Sequence, residues 1–271
     1  MLSLSTFVRM TMTYRGTTAL ITGASAGLGV EFAEQFAARG ADLVLVARRE
    51  DRLRELAERL ERRHGITATV IALDLARPDA AAELRRAVDE RGLLVQSLVN
   101  NAGFGMKGAF AEADPDRTAQ MVQLNVAALV AITREFLPDL AADGRGALVN
   151  IASAAAYQPC PSMAVYGASK AFVLTFTEAL AYETRGSGLR VLAVSPGPTR
   201  TEFFEVVGTE DAAVGRFQTP EQVVSLAVRE LDRRRTRPSI VSGRGNAVSA
   251  RLATLMPRRL TLAVSGRVLG R

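Results

Sequence analysis

The chain has 271 residues, of which 48% are hydrophobic and 23% are charged. This is a globular composition, and the length suffices for one large α/β domain or two small ones. A single cysteine, Cys160, excludes an intrachain disulfide and favours a reducing compartment, so we expect a cytoplasmic protein. No apolar run reaches the roughly eighteen residues of a membrane-spanning helix, and the first residues lack the continuous apolar segment of a secretory signal.

The net charge of +6 is distributed unevenly along the chain. No Asp or Glu follows Asp232, whereas ten arginines do. Residues 244–271 therefore form a basic C-terminal tail. The interpretation that we favour for its charge is a solvated, arginine-rich surface; the tail could also pack over the site, join a dimer or contact a membrane surface. No nucleic-acid-binding motif accompanies this charge, so we expect no nucleic acid partner.

Apolar runs alternate with helical patterns along the whole chain. The predicted strands are residues 18–22, 42–47, 67–73, 97–102, 146–152, 189–195 and 238–242. The predicted helices are residues 27–39, 49–63, 78–90, 115–140, 163–185 and 220–235. The strand runs are almost continuously apolar, as in strands buried on both faces. The pattern predicts an α/β fold: a single doubly wound Rossmann-type domain at residues 16–243, with about seven parallel strands and helices on both faces, after an N-terminal extension at residues 1–15.

The first predicted strand leads into a glycine-rich loop, TGASAGLG at residues 22–29. Such a loop, opening a helix, directs backbone N–H groups and the positive helix end toward an anion. Gly23 permits a tight turn, Gly27 a close backbone approach, and Gly29 close helix packing. A Walker loop would end in Gly-Lys-Ser/Thr, which is absent. We expect the phosphates of a dinucleotide to contact Gly23, Ser25, Ala26, Gly27, Leu28 and Gly29.

The end of the second strand indicates which dinucleotide binds. An NAD site places a carboxylate there to accept from the ribose 2′-hydroxyl, but this chain has Ala47 followed by Arg48 and Arg49. A guanidinium pairs with a 2′-phosphate. We therefore expect NADP(H) to be favoured over NAD(H), with Arg48 as the phosphate ligand. The alternative is that both arginines only begin a charged helix.

Two further strand ends fit the adenosine half of a dinucleotide. Asp74 and Leu75 follow the third strand, where a carboxylate can accept from the adenine amino group. The fourth strand ends in NNAG, so that Asn101, Ala102 and Gly103 place small side chains beside the nucleotide. Both segments lie at carboxyl ends of parallel strands, where ligands bind in open α/β sheets.

A phenol, an ammonium and a hydroxyl are predicted to converge at this edge. Tyr166 and Lys170 are four residues apart and share one helix face, and Ser153 ends the fifth strand. Hydride transfer to a carbonyl requires a proton for the new alkoxide. A free tyrosine is too weakly acidic, at a pKa of about 10, but a lysine ammonium lowers that pKa. We expect Tyr166 as acid and base, Ser153 on the substrate oxygen, and Lys170 also on the nicotinamide ribose.

Asn125 lies within an apolar helical stripe, where an unpartnered amide would be costly. One explanation is a core amide that a neighbouring backbone group satisfies. The other, which we favour, is that Asn125 holds a water connecting Lys170 to solvent as a proton relay.

Together these motifs, with PGPTRT at residues 196–201, resemble the short-chain dehydrogenase/reductase family from about residue 16 to residue 243. The resemblance implies NAD(P)(H)-dependent oxidoreduction, a tetrad of Asn125, Ser153, Tyr166 and Lys170, and a homodimer or homotetramer. It also implies that Pro196, Gly197 and Thr199 line the nicotinamide side. The segment VLVARREDRLRELA, residues 44–57, looks like the corresponding segment of the NADP-preferring branch of this family. That branch contains bacterial oxidoreductases and relatives of ketoacyl-CoA and hydroxysteroid reductases. One departure is Ala26, where many NADP-dependent members carry a basic residue.

Two other functions remain open on the same scaffold. A nucleotide-sugar epimerase or dehydratase also uses a Tyr-x-x-x-Lys pair, although the glycine spacing here argues against it. A non-catalytic NADP-binding regulatory protein would not need Tyr166 or Lys170, yet both are present.

Residues 200–218 follow the sixth strand as a long connection that should cover the substrate. Its apolar residues Phe203, Phe204, Val206 and Val207, with Phe104 and Met106, predict a lipophilic small-molecule substrate.

Other reactive side chains are interpreted as accessory. His64 ends a charged helix and is expected to be a helix C-terminal cation, while Tyr157 is expected to line the substrate pocket. Cys160 has no histidine beside it in sequence, and one His with one Cys predicts no metal site.

Overall fold

Seven parallel strands form one sheet in the computed structural model, which describes residues 12–209 and 215–269. The strands are β1 (Thr18–Thr22), β2 (Asp42–Ala47), β3 (Ala68–Ala72), β4 (Val95–Asn100), β5 (Ala147–Ile151), β6 (Arg190–Ser195) and β7 (Ser239–Val241). Their order across the sheet is β3-β2-β1-β4-β5-β6-β7. The order reverses between β1 and β4, which are hydrogen-bonded neighbours. This is the predicted doubly wound Rossmann-type arrangement, and the fold class is confirmed.

Helices connect the strands and flank the sheet. They are α1 (Gly27–Ala37), α2 (Glu50–His64), α3 (Ala80–Asp89), α4 (Pro115–Val122), α5 (Leu129–Asp143), α6 (Ala164–Glu183), α7 (Phe203–Val207), α8 (Pro220–Leu231), α9 (Arg244–Leu255) and α10 (Arg258–Leu269). The single helix predicted at residues 115–140 is α4 and α5 joined by one π-helical segment, Gln123–Ala128. Such segments are rare and frequently lie at functional sites.

Each face of the sheet buries its own apolar core. One core packs α1, α2 and α8 against the strands, with Phe32 and Phe36 of α1 fully buried. The other packs α3, α5 and the end of α6, with Leu84 and Phe136 at its centre. Burial on both faces explains why the strand sequences are continuously apolar.

Helix α2 shows how the local sequence defines an element. Its buried residues recur at helical spacing and are Leu53, Leu56, Ala57 and Leu60. Two acidic residues occupy its first turn and three basic residues its last, which complements the helix dipole. Gly65 ends the helix in the left-handed conformation, at φ 65°.

A buried polar chain fastens two helices to the sheet. Asn100, the last residue of β4, donates through Nδ2 to Thr133 Oγ1 of α5 and to Asn150 Oδ1 of β5, both at 2.9 Å. Asn150 in turn donates to Thr177 Oγ1 of α6 at 2.9 Å. All four residues are buried, so these bonds position α5 and α6 relative to the strand ends.

Residues near both ends of the described chain take part in the fold. The predicted N-terminal extension falls outside the described residues up to residue 11, but Met12 and Tyr14 are buried. Tyr14 packs edge-on against Phe36 and donates to Asp232 Oδ1 at 3.1 Å. Within the described part of the basic tail, α9 and α10 follow β7. Among the described residues, none of the helices combines the length and apolarity needed to span a bilayer.

Phe136→Ala is expected to lower the free energy of unfolding by about 3–5 kcal/mol, because the buried ring would leave a cavity. Urea unfolding at constant protein concentration measures this loss. Phe110→Ala is the matched control, since Phe110 is 67% exposed and its removal should change the stability by less than about 0.5 kcal/mol. Equal losses for the two variants would contradict the assignment of the core.

Candidate active site

The carboxyl ends of the strands open into one cleft of about 2270 Å³. All but two of the residues predicted as catalytic or cofactor-binding line this cleft. The two exceptions, Gly29 and Asn125, lie directly behind its wall. The cleft therefore brings together segments that are far apart in sequence.

The glycine loop has the geometry of an anion cradle. Gly23 and Gly27 have positive φ angles of 66° and 55°, which favour glycine. A Cβ on Gly29 would lie 2.2 Å from the carbonyl oxygen of Gly23, so only glycine allows α1 to approach the loop so closely. Helix α1 begins after Ala26 without a side-chain cap, which leaves its first N–H groups free to bind an anion. These features fit the phosphates of a dinucleotide.

Thr22 connects the glycine loop to the end of β4. Its Oγ1 accepts from the backbone N–H groups of Asn101 and Ala102, at 2.9 and 3.1 Å. The side-chain amide of Asn101 donates through Nδ2 to the Thr22 carbonyl oxygen at 2.9 Å. The two loops that should hold the nucleotide are thus fixed to each other at the strand reversal.

Two arginines stand at the end of β2, as the sequence predicted, but they have different surroundings. Arg48 lines the cleft with an exposed side chain. Arg49 donates to Ser25 Oγ at 3.0 Å and to Glu202 Oε2 at 2.8 Å. Arg52 pairs with the same carboxylate, and these arginines hold the pKa of Glu202 below its usual value. No local pattern marks Glu202 as part of the site, because Arg49 and Arg52 precede it by 153 and 150 residues.

Asp74 lies at the cleft beyond β3. One of its carboxylate oxygens accepts from the Ala76 N–H at 3.0 Å, which orients the side chain. The other oxygen has no such bond to the loop and is the candidate acceptor for an adenine amino group.

Tyr166 and Lys170 lie one turn apart in α6, and Ser153 follows β5. The Ser153 hydroxyl lies near enough to the Tyr166 phenol to act on its pKa, and it accepts from the Ala155 N–H at 3.1 Å. Lys170 donates through Nζ to the Ile151 carbonyl oxygen at 2.7 Å, and this Nζ lies 5.9 Å from the centroid of the Tyr166 ring. The predicted phenol, ammonium and hydroxyl therefore share one corner of the cleft.

Burial dominates the acidity of this pair. It raises the pKa of Tyr166 to about 12, although Ser153 acts in the opposite direction. Burial also lowers the pKa of Lys170 to about 8. The sequence led us to expect that Lys170 lowers the pKa of Tyr166, and this role stays a prediction, because burial is the larger influence on the phenol in this structure. The ammonium is directed at the Ile151 carbonyl, and desolvation disfavours the charged form of both groups.

Asn125 lies in the π-helical segment and is almost fully buried. Its side chain donates to the Phe104 carbonyl oxygen at 2.9 Å and accepts from the Phe104 N–H at 3.1 Å. A third bond joins it to Ser169 Oγ at 3.2 Å. These are the contacts of the first interpretation, a core amide satisfied by backbone. They hold the segment after β4 against α6.

An apolar wall faces Tyr166 across the cleft. Phe203 lies 5.4 Å from the Tyr166 ring, and Phe204 packs edge-on against Phe203. Of the other predicted wall residues, Phe104 and Val206 line the cleft, Met106 packs behind them, and Val207 does not line it. Tyr157 also differs from its prediction, because it packs against α6 and is not among the lining residues.

Two other reactive side chains are accounted for by their surroundings. Burial raises the pKa of Cys160 to about 11, and its thiol contacts the Ala155 carbonyl oxygen at 3.4 Å. His64 is the last residue of α2 and lies 3.7 Å from Glu34. In the part of the chain that the structure describes, no cluster of His, Cys, Asp and Glu could hold a metal ion.

Known proteins resemble this chain over most of its length. Sulfoacetaldehyde reductase 2 of Chromohalobacter salexigens is 40% identical, over 77% of this chain and 84% of that protein. A 7beta-hydroxysteroid dehydrogenase of Mediterraneibacter gnavus is 31% identical, over 85% of this chain and 87% of that protein. A short-chain dehydrogenase from Sphingobium yanoikuyae, solved in complex with NADPH, superimposes with a TM-score of 0.78 at 36% identity, and covers 92% of this chain and 95% of its own.

Residues 17–212 match the sequence model of the short chain dehydrogenase family. This match includes the glycine loop, the predicted tetrad and the beginning of the substrate connection, the name used here for residues 200–218 after β6. The chain therefore belongs to the short-chain dehydrogenase family and is an oxidoreductase acting on CH–OH groups.

Proposed function

We propose that this protein interconverts a ketone or aldehyde with an alcohol by hydride transfer and uses NADP(H) in preference to NAD(H). The observation that carries the proposal is the position of Tyr166, Lys170 and Ser153, which line the same cleft as the glycine loop. The relatives are named dehydrogenases and reductases, which favours this activity over an epimerase or a regulatory protein.

The residues that would hold the cofactor follow the edge of the sheet. The glycine loop and the N-terminus of α1 bind the pyrophosphate, and Asp74 accepts from the adenine. Lys170 binds the nicotinamide ribose, and the segment from Pro196 to Thr199 lines the nicotinamide side. The bound cofactor supplies or accepts the hydride.

The remaining chemistry belongs to three side chains. Ser153 Oγ donates a hydrogen bond to the substrate oxygen and orients the carbonyl beside Tyr166. Tyr166 Oη gives its proton to that oxygen in reduction and takes it back in oxidation. With a pKa near 12 the phenol is protonated at neutral pH but weakly acidic, so its role as proton donor requires that this pKa fall when cofactor and substrate are bound. Lys170, with a pKa of about 8, moves between its two charge states close to neutrality.

For Asn125 we retain the relay as a proposal. Its contacts with Phe104 fix the segment after β4, in which a Cβ added to the preceding Gly103 would lie 3.5 Å from Lys170 Nζ. In this proposal Asn125 and its segment hold a water molecule next to the Lys170 ammonium. That water connects Lys170 to solvent and carries the proton between them.

The preference for NADP(H) rests on the positive corner at the end of β2. Arg48 is exposed to the cleft and carries no ion pair within the described residues, so its guanidinium is free to meet a 2′-phosphate. Arg49 is engaged by Ser25 and Glu202, and it holds the glycine loop, the strand end and the substrate connection together. The Sphingobium relative was solved with NADPH.

A lipophilic carbonyl compound suits the apolar wall formed by Phe104, Phe203 and Phe204. The relative named for a hydroxysteroid acts on a substrate of this kind. A small anionic aldehyde is the second candidate, because Arg117 lines the same cleft with its guanidinium 5.3 Å from the Phe104 ring centroid. The relative named for sulfoacetaldehyde favours this second candidate.

We also propose that the protein is a cytoplasmic homodimer or homotetramer. Helices α4 and α6 each present large apolar side chains to the surface, among them Val122, Phe172 and Tyr182. Phe172 and Phe176 stack at 5.7 Å and form a flat apolar area on α6. Association through this face would cover them.

Tyr166→Phe is expected to lower turnover by about 10²–10⁴-fold, because it removes the proton donor, while NADPH binding stays largely intact. Oxidation of NADPH, screened over aliphatic ketones, steroids, ketoacyl thioesters and sulfoacetaldehyde, measures turnover and also separates the two substrate classes. Tyr157→Phe is the control, since Tyr157 does not line the cleft, and should retain activity. A fully active Tyr166→Phe enzyme would mean that another group donates the proton.

Arg48→Glu is expected to weaken NADPH binding at least about tenfold more than NADH binding, because a carboxylate repels the 2′-phosphate. Titration of cofactor fluorescence gives both dissociation constants. Arg54→Glu reverses the same charge on the exposed face of α2 and should affect both cofactors alike. If Arg49→Glu shows the larger discrimination, the phosphate is bound by Arg49 and the assignment of Arg48 is wrong.

The stability of the protein relative to Lys170→Met is expected to rise between about pH 8 and pH 10.5. The folded-state pKa of Lys170 lies below the ordinary value of 10.5, so the unfolded chain binds more protons in that window. Stability then increases with pH, because ionisation is least favourable in the folded state. Urea unfolding across the window measures the difference. Leu174→Met, a buried substitution in the same helix, should leave the pH profile unchanged, and a flat difference for Lys170→Met would contradict the lowered pKa.

A further inference from the structure

Exposed apolar side chains are concentrated in the two C-terminal helices. Among the described residues, seven of the thirteen exposed large hydrophobic side chains lie in α9 and α10. These seven are Val248, Leu252, Leu255, Leu260, Leu262, Val264 and Val268. Single exposed apolar residues are ordinary, but seven of them in two consecutive helices indicate an interaction surface. We refer to the outward faces of α9 and α10 as the tail surface.

Both helices direct their larger apolar side chains away from the protein. In α9, Ala250 and Ala253 are buried, whereas Val248, Leu252 and Leu255 form an outward stripe at spacings of four and three residues. In α10, the buried residues are Thr261 and Ser265, and Leu260, Val264 and Val268 form the outward stripe. A helix that only completed the fold would have the reverse polarity. The tail surface is therefore built to meet an apolar environment.

The charge of the tail surface has one sign. Arg244, Arg251, Arg258, Arg259 and Arg267 are exposed, and no Asp or Glu occurs after Asp232. Within the described residues none of these five arginines forms an ion pair, although eleven other arginines do. Apolar stripes beside unpaired arginines match the acyl chains and anionic headgroups of a lipid surface.

A second copy of this chain fits the tail surface less well. A twofold interface places the same patch on both sides, which would set five arginines against five without a carboxylate between them. Such like-charge contacts disfavour association. We propose that the tail surface docks the protein on an anionic lipid bilayer, with α9 and α10 lying in the plane of the headgroups.

Helix α9 connects the tail surface to the cleft. Its inner face carries Asn246 and Ala250, which line the cleft, and Asn246 donates to the Ser242 carbonyl oxygen at 2.8 Å. A Cβ on Gly197 would lie only 1.9 Å from Asn246 Nδ2, so this helix is packed directly against the predicted nicotinamide side. The docked bilayer would be about one helix diameter, roughly 10 Å, from the cleft.

Co-sedimentation of the full chain with vesicles tests the proposal. At low ionic strength the protein is expected to bind vesicles of equal parts phosphatidylglycerol and phosphatidylcholine, and to bind pure phosphatidylcholine weakly. Added salt should weaken binding to the anionic vesicles. The triple variant Arg251→Gln, Arg258→Gln, Arg259→Gln should bind about a hundredfold more weakly, at about fivefold for each arginine.

Matched variants distinguish the tail surface from total charge and total apolar exposure. Arg62→Gln with Arg91→Gln and Arg145→Gln removes the same charge elsewhere and should bind like the unmodified protein. Leu252→Ser with Leu255→Ser should lose binding, whereas Leu94→Ser with Phe110→Ser, which are equally exposed, should not. NADPH titration of every variant verifies that the fold is intact.

Three outcomes would overturn the proposal. The first is the absence of binding to anionic vesicles at low ionic strength. The second is equal binding by the tail variants and their matched controls. The third is a change from oligomer to monomer on Leu252→Ser with Leu255→Ser, measured by sedimentation velocity without lipid, which would show that a second copy covers the tail surface.

Discussion

The attachment of α6 to the sheet is the constraint on which the candidate site depends. Asn100 is the last residue of β4 and Asn150 the last but one of β5, and their buried side-chain amides reach Thr133 of α5 and Thr177 of α6. The bond from Asn150 to Thr177 forms in one register only, so it favours one position of α6 along the sheet. Thr177 lies seven residues after Lys170, or about 10 Å along the helix. The polar chain therefore decides that Lys170 and Tyr166 reach the rim of the sheet, beside Ser153.

Burial then determines the chemistry of that corner. Tyr166 and Lys170 are both nearly inaccessible, and desolvation opposes the phenolate and the ammonium alike. At neutral pH the Tyr166 phenol is therefore protonated, and Lys170, with a pKa of about 8, is still mostly charged but close to its titration point. The phenol holds a proton at neutral pH, and its transfer to a substrate oxygen becomes easier as the Tyr166 pKa falls toward that pH.

The cofactor edge is assembled from segments that meet only in the folded chain. Thr22 joins the glycine loop to the end of β4, while Arg49 joins the same loop to Glu202 of the substrate connection. Asn246 of α9 packs on Gly197 from the other side. Changes in the substrate connection or in the tail helices can thus reach the cofactor site through contacts of a few ångströms.

The sequence by itself determined the seven strands, their parallel arrangement, the glycine loop and the Tyr166–Lys170 pair, because apolar periodicity and short motifs are local signals. Local signals do not reveal contacts between residues that are distant in sequence. Only the tertiary structure showed that Arg49 pairs with Glu202, that Asn125 bonds to Phe104, and that the Lys170 ammonium points to the Ile151 carbonyl oxygen. The same reason explains the acidity of Tyr166, since its pKa depends on how much water the fold removes. It also explains the tail, whose leucines resemble a core in sequence but lie on the outside once the small residues of α9 and α10 pack inward.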